Sequence, residues 1–283
     1  MAPITHRSRI HLLAAKEAPT LVVLQRKRAK LFHVITIDTQ TLRIEEGSWF
    51  RGVLYVQRCD VSFDGKYMVY FAMGRPGPET WSGVCRLPWL KTLVEAEGLG
   101  ASWGGGYFAD RETLVMNGWQ PAGPTAAIEM PFSLSAGPLA FSMSEGSGVL
   151  YRRFERDGFR RLGDNWGEER KLDTARYEIA CIGDDGWGNR PSRSHPELQV
   201  RYLGYLRSAD TFAFTLDEHP QLLSDANWAT WDATGHLWVA RPGVVERYTR
   251  HDLLGGSPSF SLDVDQFEPP ARDAPADSGR TVL

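Results

Sequence analysis

Short apolar segments alternate with polar turns along almost the whole chain, a pattern that is typical of antiparallel β-sheets. The first three apolar segments, at 21–24, 31–37 and 42–45, are separated by a basic stretch at 25–30 and a polar turn at 38–41. Polar connections of this length join neighbouring strands of a meander. We therefore predict a three-stranded meander near the N-terminus, with the basic stretch at a hairpin tip.

A longer unit then recurs, made of a short apolar segment, a turn rich in Asp, Gly and Ser, and a stronger strand. The turns of the five units lie near Asp64, Asp110, Glu145, Asp185 and Thr234. Their mean spacing is about 42 residues, the period of a four-stranded propeller blade. The strong strands are predicted at 67–73, 113–117, 149–154 and 236–240. Period-two alternation with β-branched and aromatic residues favours strands over helical repeats of similar length.

Together these units predict an all-β fold, a single β-propeller of five or six four-stranded blades. An N-terminal strand would pair with a C-terminal one to close the ring, which removes free strand edges. Residues 1–19 are predicted to be an N-terminal lead segment and residues 20–268 the propeller domain. Residues 269–283 are rich in Pro, Ala and Asp and lack periodicity, so we expect a disordered tail.

The composition fits one all-β domain and excludes several classes of partner. The chain has 283 residues, with 28 glycines, 17 prolines and 10 tryptophans, which favour short strands and tight turns. A net charge of -3 gives no basic field for nucleic acid or an anionic membrane. The longest apolar run near the N-terminus, 12–15, is too short for a signal peptide. We expect a cytoplasmic monomer that binds neither nucleic acid nor membrane.

Two stretches resemble the inner-strand hairpins of β-propeller repeats, SFDGKY at 62–67 and DATGHLWVA at 232–240. They are similar to TolB-like and WD40-like repeats and to gluconolactonase-type propellers. The Gly-His and Trp-Asp pairing of a WD40 repeat is absent, because Trp231 and Asp232 precede a turn instead of ending a blade. The resemblance implies a propeller and leaves its function open between an enzyme and a binding protein.

The resemblance to gluconolactonase-type propellers implies a metal-dependent lactonase or related hydrolase. Such propellers hold a divalent ion with inward carboxylates and an Asn, and oxygen ligands suit calcium or magnesium. The ion would polarise a carbonyl and activate a bound water. Candidate donors in this chain are Asp60, Asp184, Asp185, Asp225 and Asn227. The Glu-Gly-Pro start and the Pro-Asp-Gly element of that family are absent.

Tryptophans in predicted loops favour the other function. Each adjoins Gly, Asn, Asp or Ser, as expected of loop positions, and the five are Trp81, Trp103, Trp119, Trp166 and Trp187. Exposed aromatic residues commonly anchor protein interfaces. The nearby acidic residues would form a steering rim, and they are Asp164, Glu168, Glu169, Asp184 and Asp185.

From this pattern we predict a non-enzymatic binding protein with no catalytic residues, no bound metal and no cofactor. Its aromatic and acidic loop face would bind a protein partner, and a bacterial toxin-neutralising (immunity) protein is one form of this function. The metal-dependent hydrolase is the alternative, with calcium or another divalent cation as its cofactor.

Overall fold

The computed structural model describes residues 7–74, 79–97, 103–118, 130–137, 147–161, 187–189, 195–206, 209–270 and 281–282. Over these residues the chain is mostly β-strand and forms several antiparallel sheets. The prediction of a β-rich fold is therefore confirmed.

The strands of the described residues form five sheets that follow one another along the chain. Sheet I contains β1 (Arg9–Ala14), β2 (Thr20–Arg28), β3 (Leu31–Asp38), β4 (Ile44–Arg51) and, at its far edge, β21 (Thr281–Val282). Sheet II contains β5 (Val53–Leu54), β6 (Asp60–Val61), β7 (Tyr67–Met73), β8 (Thr80–Arg86) and β9 (Thr92–Glu97). A turn of 3-10 helix at Val56–Arg58 separates β5 from β6.

The remaining three sheets are smaller, and two α-helices accompany them. Sheet III contains β10 (Gly106–Phe108), β11 (Thr113–Asn117) and β12 (Ser133–Gly137). Sheet IV follows helix α1 (Ser147–Arg156) and contains β13 (Arg160–Arg161), β14 (Trp187–Asn189), β15 (Leu198–Leu206) and β16 (Ala209–Leu216). Sheet V contains β17 (Trp228–Trp231), β18 (Leu237–Arg241), β19 (Val244–Tyr248) and β20 (Phe260–Asp263), with helix α2 (Arg250–Gly255) before β20 and a 3-10 turn at Val264–Gln266 after it.

Three of the predicted hairpin turns share one hydrogen-bonded geometry. The side chains of Asp64, Asp110 and Asp232 each accept a hydrogen bond from the backbone N–H two residues later, at 2.8–3.1 Å. Asp stabilises turns in this way because its short side chain reaches its own backbone. Gly65 and Gly235 follow two of these residues with positive φ, which only glycine adopts without strain. The predicted turns near Glu145 and Asp185 lie outside the described residues.

Alternate residues of a strand connect one sheet to two neighbours. On β7, Met68 and Tyr70 pack in a core shared with sheet I, while Val69 packs in a core shared with sheet III. On β2, Val22 faces sheet II and Val23 faces the core shared with sheets IV and V. Side chains of successive strand residues point to opposite faces, so each of these sheets is buried on both sides. Sheet I therefore shares one core with sheets IV and V and another with sheet II, and sheet II shares a third core with sheet III.

A buried ion cluster holds helix α1 against sheets II and III. Asp60 on β6 is 1% exposed and contacts both Arg153 and Arg156 of the helix. The Arg156 guanidinium donates hydrogen bonds to the Asp60 carboxylate and, over 2.8 Å, to the Phe108 carbonyl of β10. The N–H of Phe108 donates in turn to Asp60 over 2.8 Å. One carboxylate therefore joins a strand, a helix and the neighbouring sheet.

The residues after β20 fasten sheet V onto sheet I. The buried Gln25 side chain of β2 donates hydrogen bonds to the Val264 carbonyl over 3.0 Å and to the Ser8 hydroxyl over 2.8 Å. Lys27 donates to the carbonyls of Asp265 and Phe267. These side-chain contacts join the first sheet along the chain to the last. Among the described residues, no strand of sheet I pairs with a strand of sheet V.

Several features differ from the predicted propeller. The described residues form five separate sheets, and no closed ring is detected among them. The N-terminal strand β1 lies within the predicted lead segment, and β21 lies within the predicted tail, where it pairs in parallel with β4. Strand β12 also pairs in parallel with β11, whereas a propeller blade is antiparallel throughout.

The strand predicted at 149–154 is wrong, because these residues form helix α1. Val149, Leu150, Arg153 and Phe154 are its buried residues. Their spacing of one, three and one residues follows a helical face, not the alternation of a strand. Arg153 interrupts the apolar pattern, which obscured the face in the sequence.

We expect Asp60→Ala to lower the free energy of unfolding by about 3–5 kcal/mol, because it removes the carboxylate that the buried guanidinium groups of Arg153 and Arg156 share. The matched control is Glu155→Ala, which removes an exposed ion pair with Arg152 on the same helix. That change should cost less than about 1 kcal/mol. Chemical denaturation followed by circular dichroism measures both free energies of unfolding. Equal losses would show that the buried cluster contributes no more to stability than the exposed ion pair.

Candidate functional site

A cavity of about 470 Å³ opens where sheets I, II, IV and V come together. Strands β1 and β2 supply one wall, and β5 with the turn after it supplies a second. The start of β16 and the segment that enters β17 supply the third. A volume of this size accommodates a small ligand or a few side chains of a partner.

The wall from sheet I places two cations at the outer end of the cavity. Arg9 on β1 lies opposite Arg26 on β2, which in turn lies opposite Phe32 on β3. His11 is two residues further along β1 and lies opposite Leu24. Residues that lie opposite each other, and those two apart on one strand, share a face of the sheet. The cavity side of sheet I therefore carries two arginines near the opening and an imidazole deeper in.

The inner end of the cavity holds two polar side chains with unpaired atoms. His11 is 5% exposed, and its Nε2 has no hydrogen-bond partner among the described residues. The Oδ1 of Asn227, the residue before β17, is also buried and has no hydrogen-bond partner among the described residues. An unpaired buried polar atom costs about 1–3 kcal/mol and is rare in folded proteins. Two such residues bordering one cavity mark it as the candidate functional site.

Trp228 fixes the imidazole in place. Its ring lies 3.9 Å from the His11 ring, centroid to centroid, at an angle of 49°. Phe212 and Phe214 of sheet IV meet the Trp228 ring edge to face at 5.3 Å, and Phe154 of helix α1 stacks on it at 6.3 Å. Aromatic contacts on several sides restrict a ring to one position. The floor of the cavity is therefore rigid.

The other lining residues are largely apolar, and they include Val53, Leu54, Met73 and Phe212. The described lining contains no Asp or Glu. Apolar walls with unpaired polar atoms at the inner end make an arrangement suited to binding a small ligand or a few side chains of a partner. The sequence alone does not predict this site, because only the strand register shows that Arg9 and Arg26 are neighbours.

The two predicted aromatic anchors whose side chains are described differ in exposure. Trp81 is 3% exposed and donates a hydrogen bond to the Tyr70 hydroxyl in the core, so it belongs to the interior of sheet II. Trp103 is 41% exposed. Trp187 begins β14, and nothing more is described of it. The remaining predicted site residues lie outside the described residues, and they are Trp119, Trp166, Asp164, Glu168, Glu169, Asp184 and Asp185.

The predicted metal donors do not come together in the described residues. Asp60 is neutralised by two arginines, and Asp225 forms an ion pair with Arg241. Asn227 borders the cavity, while Asp184 and Asp185 lie outside the described residues. In the part of the chain that is described, no group of three or more His, Cys, Asp or Glu side chains could hold a metal ion.

Comparison with known proteins leaves the cavity as the main guide to function. No protein-family model matches the chain, and a search of curated proteins gives no significant match. None of the helices in the described ranges combines the length and apolar character needed to cross a membrane.

Two buried histidines are held neutral by their surroundings. Burial, together with the positive charge of Arg153, lowers the pKa of His11 well below its ordinary value. Burial, together with the charge of Lys27, lowers the pKa of His33 to about 3. The His33 ring stacks on Trp49 with centroids 4.0 Å apart. Both histidines gain a proton more readily in the unfolded chain, whose histidines titrate near pH ~6.5.

We expect acid to destabilise the fold through these two residues. Their contribution is complete above pH ~6.5 and is lost as the pH falls below it, by up to ~1.4 kcal/mol per pH unit for each histidine. Urea titrations between about pH 7.5 and pH 4.5 measure this loss for the wild type, His11→Gln and His33→Gln. Each substitution should flatten the dependence on pH, and a variant curve parallel to that of the wild type would contradict the assignment.

Proposed function

We propose that the protein is a non-enzymatic binding protein with a propeller-like arrangement of sheets, and that the cavity is its recognition centre. A side chain or chain end of a protein partner would enter the cavity. The observation that carries this proposal is the pair of buried, unpaired polar groups of His11 and Asn227 in a cavity with a rigid aromatic floor.

The contacts between sheets support the propeller-like arrangement. Strands near the start of neighbouring sheets contact each other, since β1 contacts β17 and β6, and β6 contacts β10. Inner strands of propeller blades meet in this way around a central channel. Helix α1 contacts β10 and the 3-10 turn before β6. We infer that this helix fills part of the channel and that the cavity is one mouth of it.

A rigid scaffold suits a binding function. Four sheets contribute walls to the cavity, and each of them is fixed by packing against its neighbour. A site that is preorganised in this way loses little conformational entropy when a partner binds. No described residue set favours the metal-dependent hydrolase in the same way, because Asp60 and Asp225 are already paired with arginines.

We expect Ala29→Trp to abolish partner binding, because Ala29 lines the cavity at the exposed β2–β3 turn and an indole there would obstruct the opening. Lys30→Trp is the matched control, since Lys30 is the next exposed residue of the turn and does not line the cavity. Each tagged protein is cross-linked in its native host and purified, and the captured proteins are quantified by mass spectrometry.

A specific partner should be recovered with the wild type and Lys30→Trp, and at least about tenfold less with Ala29→Trp, as expected for the loss of a central contact. Thermal unfolding checks that both variants are folded. Equal recovery of every captured protein with the two variants would refute the cavity as the recognition centre.

A further inference from the structure

Two polar groups at the inner end of the cavity lack a hydrogen-bond partner, and they belong to neighbouring parts of the fold. The Nε2 of His11 and the Oδ1 of Asn227 are buried and unpaired among the described residues, and both residues line the cavity. Asn227 is the residue before Trp228, whose ring lies 3.9 Å from the His11 ring, centroid to centroid. Both groups therefore lie at the same end of the same space.

Other buried polar atoms without a described partner are placed differently. They include atoms of Gln25, His33 and Asn117, and none of these three residues lines this cavity. A buried polar atom that stays unpaired is unfavourable and rare. Where two of them border one cavity of about 470 Å³, a single ligand that hydrogen-bonds to both would satisfy them together.

The hydrogen-bonding capacities of the two residues restrict that ligand. The Oδ1 of Asn227 only accepts hydrogen bonds. Burial and the positive charge of Arg153 lower the pKa of His11, so the imidazole is neutral and its proton lies on one of the two ring nitrogens. With the proton on Nε2, the site offers one donor beside one acceptor. A ligand group that both donates and accepts satisfies both residues at once.

A neutral hydroxyl has this capacity, whereas the charged groups of proteins do not. A carboxylate only accepts hydrogen bonds and cannot donate to Asn227. An ammonium group only donates, and the described lining contains no Asp or Glu to balance its charge. A hydroxyl donates its proton to the Asn227 Oδ1 and accepts from the His11 Nε2 through an oxygen lone pair.

The walls of the cavity favour an aromatic body behind this hydroxyl. Leu24, Phe32, Met73 and Phe212 are among the lining residues and would contact an apolar ligand. Aromatic rings pack well against one another edge to face, and methionine sulfur also contacts ring edges favourably. A flat ring therefore gains contacts along the walls while its hydroxyl lies between His11 and Asn227.

We propose that His11 and Asn227 form a hydroxyl-binding subsite, and that the cavity accepts a phenol whose hydroxyl reaches its inner end. This inference rests on the proposed function, since it takes the cavity as the recognition centre and specifies the group that enters. A tyrosine side chain of a protein partner and a free phenol present the same chemistry. Both are neutral near pH ~7, because a phenol titrates near pH ~10.

Three probes with one apolar body test the subsite by isothermal titration calorimetry, and they are p-cresol, 4-methylanisole and toluene. The hydroxyl of p-cresol donates and accepts, the ether oxygen of 4-methylanisole only accepts, and toluene does neither. We expect p-cresol to bind at least about tenfold more tightly than the other two, with no dependence on salt because all three are neutral. Equal binding of p-cresol and toluene would overturn the subsite. So would tighter binding of p-toluamide than of p-cresol, which would assign the site to a carboxamide.

Substitution of Asn227 tests the acceptor. Asn227→Ala should weaken binding of p-cresol about tenfold and leave binding of toluene unchanged. The backbone N–H of Asn227 donates to the Ala240 carbonyl over 2.6 Å, a contact that alanine retains. Asn117→Ala is the matched control, because Asn117 also has a buried, unpaired Oδ1 but does not line the cavity. Its affinity for p-cresol should equal that of the wild type.

Substitution of His11 tests the donor independently. His11→Phe keeps an aromatic ring beside Trp228 and removes both ring nitrogens, so it should also weaken binding of p-cresol about tenfold without weakening that of toluene. Thermal unfolding checks that each variant is folded, and either variant alone tests the subsite. A folded variant that binds p-cresol as tightly as the wild type would show that its side chain does not hold the hydroxyl.

Two peptides distinguish the sources of the phenol, acetyl-Gly-Tyr-Gly-amide and the matching peptide with Phe in place of Tyr. The tyrosine peptide should bind at least about tenfold more tightly than the phenylalanine peptide if a partner's side chain is the ligand. Tighter binding of the tyrosine peptide than of p-cresol assigns the subsite to such a side chain, and the opposite order assigns it to a free phenol.

The outcomes also separate this inference from the proposed function. If toluene binds as tightly as p-cresol and Ala29→Trp abolishes both, the cavity is a binding site and the hydroxyl subsite is wrong. If no probe binds the wild type, the subsite is likewise wrong, and capture of a partner decides the function by itself. If p-cresol binds as expected while Ala29→Trp and Lys30→Trp capture every protein equally, the subsite is correct and the protein partner is wrong.

Discussion

The Asp60 carboxylate is the contact on which the arrangement of the central elements depends. It is surrounded by two guanidinium groups and the Phe108 N–H, and all of these partners are removed from water. Burying three charges is unfavourable unless each finds its partner, so the cluster tolerates only one relative position of β6, β10 and helix α1. Asp157 extends it, because this residue bonds to Arg156 and forms an ion pair with Lys16 just beyond β1. The first sheet is thereby linked to the same cluster.

The cluster also influences the cavity. Arg153 adds its positive charge to the effect of burial that keeps His11 neutral. A neutral imidazole can pack against Trp228 without the cost of desolvating a charge, so the floor of the cavity is well packed. At the outer end of the cavity the lining residues include Arg9 and Arg26 instead. The cavity thus combines a neutral imidazole at its inner end with two arginines at its outer end, and strands of sheet I supply all three side chains.

The sequence predicts strands well where a hairpin repeats a local pattern. The strands predicted at 67–73 and 113–117 agree with the bounds of β7 and β11, since apolar and β-branched residues there end at Asp-containing turns. Strand β1 was missed because its run of Ile10, Leu12 and Leu13 is short and follows a polar, basic segment. Helix α1 was missed because an arginine occupies its buried face, where only the carboxylate of a distant strand explains it.

The candidate site was harder to predict, for a physical reason. Trp81 and Trp103 have similar polar neighbours in sequence, yet one is a core residue and the other is exposed, because sheet packing decides exposure and local sequence does not. Likewise the basic stretch at 25–30 suggests a single positive tip. In the fold Arg26 points to the cavity while Lys27, on the other face of β2, bonds to the segment after β20.

This division of β2 connects stability with recognition. Successive side chains of a strand point to opposite faces. At the end of β2, one face therefore contacts the residues after β20 and joins the first and last sheets, while the other face lines the cavity. The opening therefore keeps its shape only while Gln25 and Lys27 hold the residues after β20, since sheet V supplies the opposite wall. A substitution at Lys27 would alter the cavity through the fold, whereas one at Arg9 would alter its charge alone.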